Sequence, residues 1–140
     1  MAFYRNFDSK DAIIRYYLQK KTDRFIRDSL IGSESGYSEE YFRKLFEHLS
    51  GARELGRLLI DTNLFDLLRM EFDRIYLGKA RSEQERLRYY FIAGGICNVY
   101  HYWLSSGCRE TPAELARELA RILGHAREQE AAIPSDPSVP

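Results

Sequence analysis

The side chains that most often carry chemistry are few in this chain of 140 residues, and they are widely spaced. The three histidines, His48, His101 and His125, have no partners at metal-ligand spacing. The two cysteines, Cys97 and Cys108, form neither a metal motif nor a redox pair, so free thiols in a reducing cytoplasm are expected. The sequence therefore predicts no metal site and no cofactor.

Carboxylates and glycines also lack the spacing that catalysis requires. Four acidic residues in the middle of the chain are expected on helix surfaces rather than as an acid–base pair. They are Asp61, Asp66, Glu71 and Asp73. Gly94 and Gly95 lie inside a helical pattern and not in a strand-to-helix turn that would bind phosphate. We therefore predict that the protein is not an enzyme and has no catalytic residue.

Aromatic side chains are the feature that suggests binding. They make up 14% of the chain, and several recur at helical spacing. Such residues would line an apolar cavity with a few polar tips, suited to a small hydrophobic effector. The candidates are Phe46, Phe65, Phe72, Tyr76 and Tyr90. The alternative is ordinary core packing, because an aromatic stripe at helical spacing is also what a buried helix face needs.

Helices must position these residues, because helix signals are dense and strand patterns are nearly absent. Ser9 is expected to begin a helix that ends near Leu30, and Ser38 to cap a second one. After a short third helix, Asn63 is expected to cap a fourth that Gly78 ends.

Two capping boxes predict the last two helices. Ser82 is followed three residues later by Glu85, and Thr111 by Glu114. The final helix is expected to end at Gly124. The prediction is an all-α protein with about six helices.

The helix expected over residues 89–104 is apolar on two opposite faces. Ile92, Ile96, Val99 and Trp103 share one face, and Tyr90, Gly94, Cys97 and His101 share the other. Sixteen residues that include Asn98 and His101 are too short and too polar for a membrane span. Both faces must therefore be covered, either within one globule or by a partner or ligand. The glycine pair within it indicates close approach of a helix or a ligand.

Two sequence segments resemble the TetR (tetracycline repressor) family of transcriptional regulators. Residues 3–10, F-Y-R-N-F-D-S-K, resemble the end of its DNA recognition helix and the turn after it. The run from Tyr89 to Leu104, followed by Gly107 and a Thr-Pro-x-Glu helix start, resembles the last two helices of the family's C-terminal body.

The resemblance implies a domain division and a DNA-binding remnant. Residues 1–8 would be the end of a truncated helix-turn-helix, 9–125 the effector-binding and dimerisation domain, and 126–140 a disordered tail. Tyr4 and Lys10 match positions that contact phosphate, in agreement with the excess of basic residues in residues 1–27. The full-length form would bind operator DNA, and this chain weakly or not at all.

The resemblance also implies a homodimer and extends the predicted pocket. In the family the last two helices pack against their two-fold mates as a four-helix bundle. The dimer candidates are Ile92, Ile96, Val99, Trp103, Leu115, Leu119 and Ile122. The opposite face of the penultimate helix would add Gly94, Cys97 and His101 to the ligand pocket.

The expected function is that of a ligand-responsive transcriptional repressor in the cytoplasm. This chain would be mainly its effector-binding and dimerisation domain. The alternative is a truncated helical protein that does not bind DNA and acts by forming heterodimers with a full-length regulator.

Overall fold

A computed structural model of the protein describes residues 9–29 and 37–132, with side chains for 9–25 and 37–124. In these ranges the chain forms helices and no strand, which confirms the all-α prediction. The six helices are α1 (Lys10–Ser29), α2 (Glu39–Gly51), α3 (Arg53–Asp61), α4 (Phe65–Leu77), α5 (Glu83–Ser105) and α6 (Pro112–Ala132). The predicted recognition-helix remnant, residues 1–8 with Tyr4, lies outside the described residues.

Hydroxyl side chains begin α1 and α2 as the sequence predicted. The Ser9 Oγ atom accepts a hydrogen bond from the Ala12 amide, and the Ser38 Oγ atom accepts one from the Tyr41 amide, both at 3.2 Å. These bonds satisfy amide groups that have no carbonyl partner in the first turn of a helix.

Both capping boxes form, with one difference between them. At α6 the bonds are reciprocal, because the Thr111 Oγ1 atom accepts from the Glu114 amide and the Glu114 carboxylate accepts from the Thr111 amide. At α5 the Ser82 Oγ atom accepts from the Glu85 amide, but the Glu85 carboxylate accepts from the amide of Arg81 instead. Local sequence therefore determines where both helices start.

Two helix ends differ from prediction. Asn63 does not cap α4; it has a φ of 60°, a left-handed conformation that asparagine tolerates, and Leu64 precedes the helix without a side-chain cap. The helix α6 does not end at Gly124 but continues to Ala132, so residues 126–132 are helical rather than tail. A glycine inside a helix costs only about 1 kcal/mol, and the Ala, Arg, Glu and Gln residues that follow favour the helix. Residues 133–140 lie outside the described part.

Aromatic side chains from several helices fill the core. The helix α6 packs mainly against α2, α5 packs against α4 and α3, and α1 crosses α4. The ring of Phe46 on α2 meets that of Trp103 on α5 edge-on, with 6.1 Å between their centroids. Tyr100, one turn before Trp103, is buried beside it. These aromatic contacts therefore join α2 to α5 within the core.

One face of α5 belongs to this core, which corrects part of the predicted dimer interface. Ile92, Ile96 and Trp103 were predicted to face a second copy, but all three are 7% exposed or less within the single chain. The reason is that α5 turns this face towards α4 and α3. No helix in the described ranges is long and apolar enough to cross a membrane.

Candidate functional site

A cavity lies between α1, α2, α3 and α4, with part of α5 at its base. It opens to solvent, and the space inside it and in front of its mouth amounts to about 740 Å³. Its walls are mainly aliphatic and aromatic side chains, among them Leu18, Leu45, Leu59, Phe72 and Ile75. The apolar lining suits an apolar group of a small ligand.

The structure places two of the eight predicted pocket residues, Phe72 and Tyr76, in the cavity wall. Phe46, Phe65 and Cys97 are instead buried in the surrounding core, and Tyr90 is exposed. The ring of His101 packs edge-on against Phe65, with 4.7 Å between centroids, and Gly94 has open space beside it. The cavity reaches α5 at Tyr100, not at the predicted Tyr90–His101 face, because that face points elsewhere.

The first two helices supply lining residues that sequence reasoning missed. From α1 come Leu18, Thr22 and Phe25, and from α2 come Leu45 and His48, among others. Their three- and four-residue spacing marks one face of each helix. That signal predicts burial, but it does not distinguish a cavity wall from close packing.

Most polar groups in the wall already have partners within the protein. The hydroxyl groups of Tyr41 and Tyr76 hydrogen bond to each other, and burial raises the pKa of Tyr41 to about 12. The Tyr100 hydroxyl donates to the Leu49 carbonyl at 3.0 Å, and the Thr22 hydroxyl donates to the carbonyl one turn earlier in α1. The cavity surface therefore offers a ligand few unpaired polar atoms from these residues.

Glu71 lies in the cavity wall, which corrects its predicted position on a helix surface. It is 5% exposed, and it is the one buried charged residue among the side chains that the structure describes. Its Oε1 atom accepts from the Nε atom of Arg74 at 2.6 Å and from its Nη2 atom at 2.5 Å. The same Nη2 atom lies 2.8 Å from the carboxylate of Asp23 on α1. These bonds, first of all that to Glu71, raise the pKa of Arg74.

His48 contributes a mostly uncharged ring to the wall. It stacks on Phe25 of α1, with 4.0 Å between ring centroids and 17° between ring planes. Burial, and then the nearby charge of Lys21, lower the pKa of His48 from its ordinary value of 6.5. The imidazole is therefore mainly neutral at pH 7.

The outward face of α5 is a second candidate site. Leu87, Phe91 and Tyr102 are all exposed on it, and Phe91 is 78% exposed. These residues, with Gly95 between them, fall on one stripe of the helix. A Cβ atom added to Gly94 or to Gly95 would meet no atom within 4 Å, so this part of the stripe is flat and open.

The remaining predicted interface residues occupy mixed positions. Val99, Leu115 and Leu119 are partly buried against the core, whereas Ile122 on α6 is exposed. Lys10, predicted to contact phosphate, is the exposed first residue of α1. The described residues contain no cluster of three or more His, Cys, Asp or Glu side chains that could hold a metal ion.

Comparison with protein families identifies a family to which most of the chain is similar. Residues 36–125, which include α2 to α5 and most of α6, match the family of transcriptional regulator C-terminal regions of the TetR class. Comparisons with curated proteins and with solved structures give no significant match. The family match covers more than half of the chain and, of the helices around the cavity, α2 to α5 but not α1. The chain therefore belongs to the TetR family of transcriptional regulators, of which residues 36–125 form the C-terminal region.

Proposed function

We propose that this protein is a ligand-responsive transcriptional repressor that acts in the cytoplasm, and that this chain is its effector-binding and dimerisation domain. The observation that carries the proposal is the position of α1 in the cavity wall. Leu18, Thr22 and Phe25 of this helix line the same space as residues from α2 and α4. In the TetR family the corresponding helix links the DNA-binding head to the body, so a ligand in the cavity would contact the link directly.

A ligand in this cavity would act by binding one position of α1 better than another. Differential affinity is required, because a ligand that binds both arrangements equally shifts nothing. In the form that binds the operator, the two DNA-binding heads of a dimer would have one relative arrangement. The ligand would favour a different arrangement of the heads. We also propose that Tyr4 and Lys10 contact phosphate groups of the operator DNA. Binding of the operator would require a complete DNA-binding head.

We assign the dimer contact to the outward face of α5 rather than to the Ile92–Trp103 face. Support comes from Leu87, Phe91 and Tyr102, which would otherwise leave a row of large apolar side chains in water. The open space beside Gly94 and Gly95 would let a second helix approach closely. Exposed Ile122, and the partly buried Val99, Leu115 and Leu119, remain candidates at the edge of this contact.

Light scattering over a dilution series tests the dimer. The chain should have twice its mass of 16.4 kDa at each concentration. Phe91→Glu should give monomers, because it places two like charges in the centre of the contact. Leu58→Glu is the matched control, since Leu58 is an exposed apolar residue on α3, outside the α5 stripe. A wild-type chain that is monomeric throughout would contradict the dimer.

Binding of Nile red, an uncharged apolar dye, tests the cavity. Its fluorescence should rise on binding, and Ile75→Arg should abolish the rise by placing a charge in the wall. Met70→Arg should leave it unchanged, because Met70 is an exposed residue of the same helix that does not line the cavity. Equal binding by both variants would place the dye elsewhere.

A further inference from the structure

Glu71 is an unusual residue to find in an apolar cavity. A carboxylate that leaves water without a partner carries a large desolvation cost, so its position in the cavity wall needs a compensating charge. Arg74 supplies one, but both of its bonds go to the Oε1 atom of Glu71. The bonds from Arg74 thus leave the Oε2 atom as the oxygen to which a further donor could bind.

The other charged or titratable groups around the cavity do not compete for this role. Lys21 borders the cavity, but its ammonium group lies over the ring of Tyr17, 5.2 Å from the centroid. His48 is mainly neutral, and the hydroxyl groups of Tyr41 and Tyr76 are bonded to each other. Glu71 is therefore the charged acceptor that a ligand would meet inside the cavity.

We propose that the cavity selects an apolar ligand that carries a protonated amine, that Glu71 holds this amine, and that the contact loosens α1 from α4. The proposal rests on the function proposed above and names the chemical class of its effector. An ammonium group donates short, charge-assisted hydrogen bonds to a carboxylate, and the aliphatic and aromatic walls accommodate the rest of the molecule.

The link to α1 follows from the shared carboxylate. Arg74 joins Glu71 of α4 to Asp23 of α1 through one guanidinium group. An ammonium group that binds the same carboxylate repels this guanidinium and weakens its bond to Glu71. Arg74 is 44% exposed, so it can move into water, and the ion pair with Asp23 then no longer fixes α1 to α4.

Three ligands with one carbon skeleton test the selectivity. Calorimetric titration of the full chain with phenylbutylamine, phenylbutanol and phenylbutanoate compares a cation, a neutral group and an anion. We expect the amine to bind at least about tenfold more tightly than the alcohol, and the carboxylate to bind most weakly. Glu71→Gln should remove the preference for the amine. Asp66→Asn should retain it, because Asp66 is an exposed acid of the same helix that does not line the cavity.

The outcomes separate this inference from the proposed function. Equal binding of all three ligands, or preference for the carboxylate, would overturn the inference and leave the cavity as a ligand site. Nile red binding without binding of any phenylbutyl compound would also overturn it. If neither the dye nor these ligands bind, the cavity assignment itself fails. The comparison on the wild-type chain does not depend on whether Glu71→Gln folds.

Amide hydrogen exchange tests the loosening of α1. At equal occupancy, the amine should accelerate exchange in residues 18–25 relative to the alcohol, which makes the same apolar contacts. Asp23→Asn should show fast exchange without ligand and no further rise with the amine. Equal exchange in the amine and alcohol complexes of the wild-type chain would overturn the link between Glu71 and α1.

Discussion

The hydroxyl oxygen of Tyr100 lies 2.8 Å from the position that a Cβ atom on Gly56 would occupy. Leu104 is as close, with its Cδ1 atom 2.7 Å from the same point. Both side chains are buried, and the Tyr100 hydroxyl donates to the Leu49 carbonyl at 3.0 Å. The helices α3 and α5 can approach this closely because α3 has no side chain at residue 56.

Gly56→Ala should therefore destabilise the protein although alanine favours helices. The helix preference contributes about 1 kcal/mol in favour, but overpacking of a buried contact costs about 1–3 kcal/mol. We expect a net loss of up to about 2 kcal/mol in the free energy of unfolding, measured by urea denaturation at one protein concentration. Gly51→Ala is the control, because a Cβ atom there meets nothing within 4 Å and should stabilise. A Gly56→Ala protein as stable as that control would contradict the close contact.

Ile96→Glu should affect the stability of the fold and Phe91→Glu the dimer, although both residues lie on α5. Ile96 is in the core, so a charge there should lower the free energy of unfolding by about 4 kcal/mol or more. Phe91 is exposed, so its replacement should leave the fold intact and affect only the dimer. Circular dichroism during heating measures the first effect and light scattering the second. A folded, monomeric Ile96→Glu protein would instead indicate that Ile96 lies at the dimer contact.

The two cysteines should differ in their reaction with thiol reagents. Burial raises the pKa of Cys97 to about 11, and the thiolate is the reactive form. Cys108 is only partly buried and lies after the end of α5. We expect one fast thiol in the native chain and two in urea. Cys108→Ser should remove the fast reaction, whereas Cys97→Ser should leave it. Fast modification of Cys97 in the native Cys108→Ser protein would show that the core opens readily.

Stability should fall at alkaline pH because of Tyr41. Its pKa is raised from 10.0 to about 12 in the folded chain, chiefly by burial. The folded state therefore holds this proton more tightly, so the stabilisation is complete below pH 10 and is lost as the pH rises through about 12. Urea midpoints measured across this range should decline less steeply for Tyr41→Phe. Identical slopes would mean that this hydroxyl is not buried.

Local features of the fold were predictable, whereas relations between distant helices were not. Ser38, Ser82 and Thr111 act on amides within their own helices, so sequence alone identified those helix starts. The residues of α5 are apolar around most of the helix, and periodicity does not show which face points inward. The choice depends on where α4 and α3 lie.

Glu71 and the cavity illustrate the same limit. An isolated glutamate in a helix is normally exposed, and its burial here depends on Arg74, which in turn reaches Asp23 on a helix far away in sequence. The cavity likewise arises where α1 passes over α2 and α4. Phe72 and Tyr76 could be predicted as lining residues from their aromatic character, but nothing in the sequence distinguishes Leu18 and His48 as lining residues.

Trp103 gives this protein an intrinsic optical reporter. It is the one tryptophan of the chain, it is buried, and its Nε1 atom donates to the Glu110 carbonyl at 2.9 Å, just before α6. Its fluorescence emission should therefore shift to longer wavelength when the joint between α5 and α6 opens to water. Because the α5 stripe of Leu87, Phe91 and Tyr102 points away from the core, dissociation of two intact copies should leave this emission unchanged. The emission of the unlabelled protein thus reports unfolding without a contribution from subunit separation.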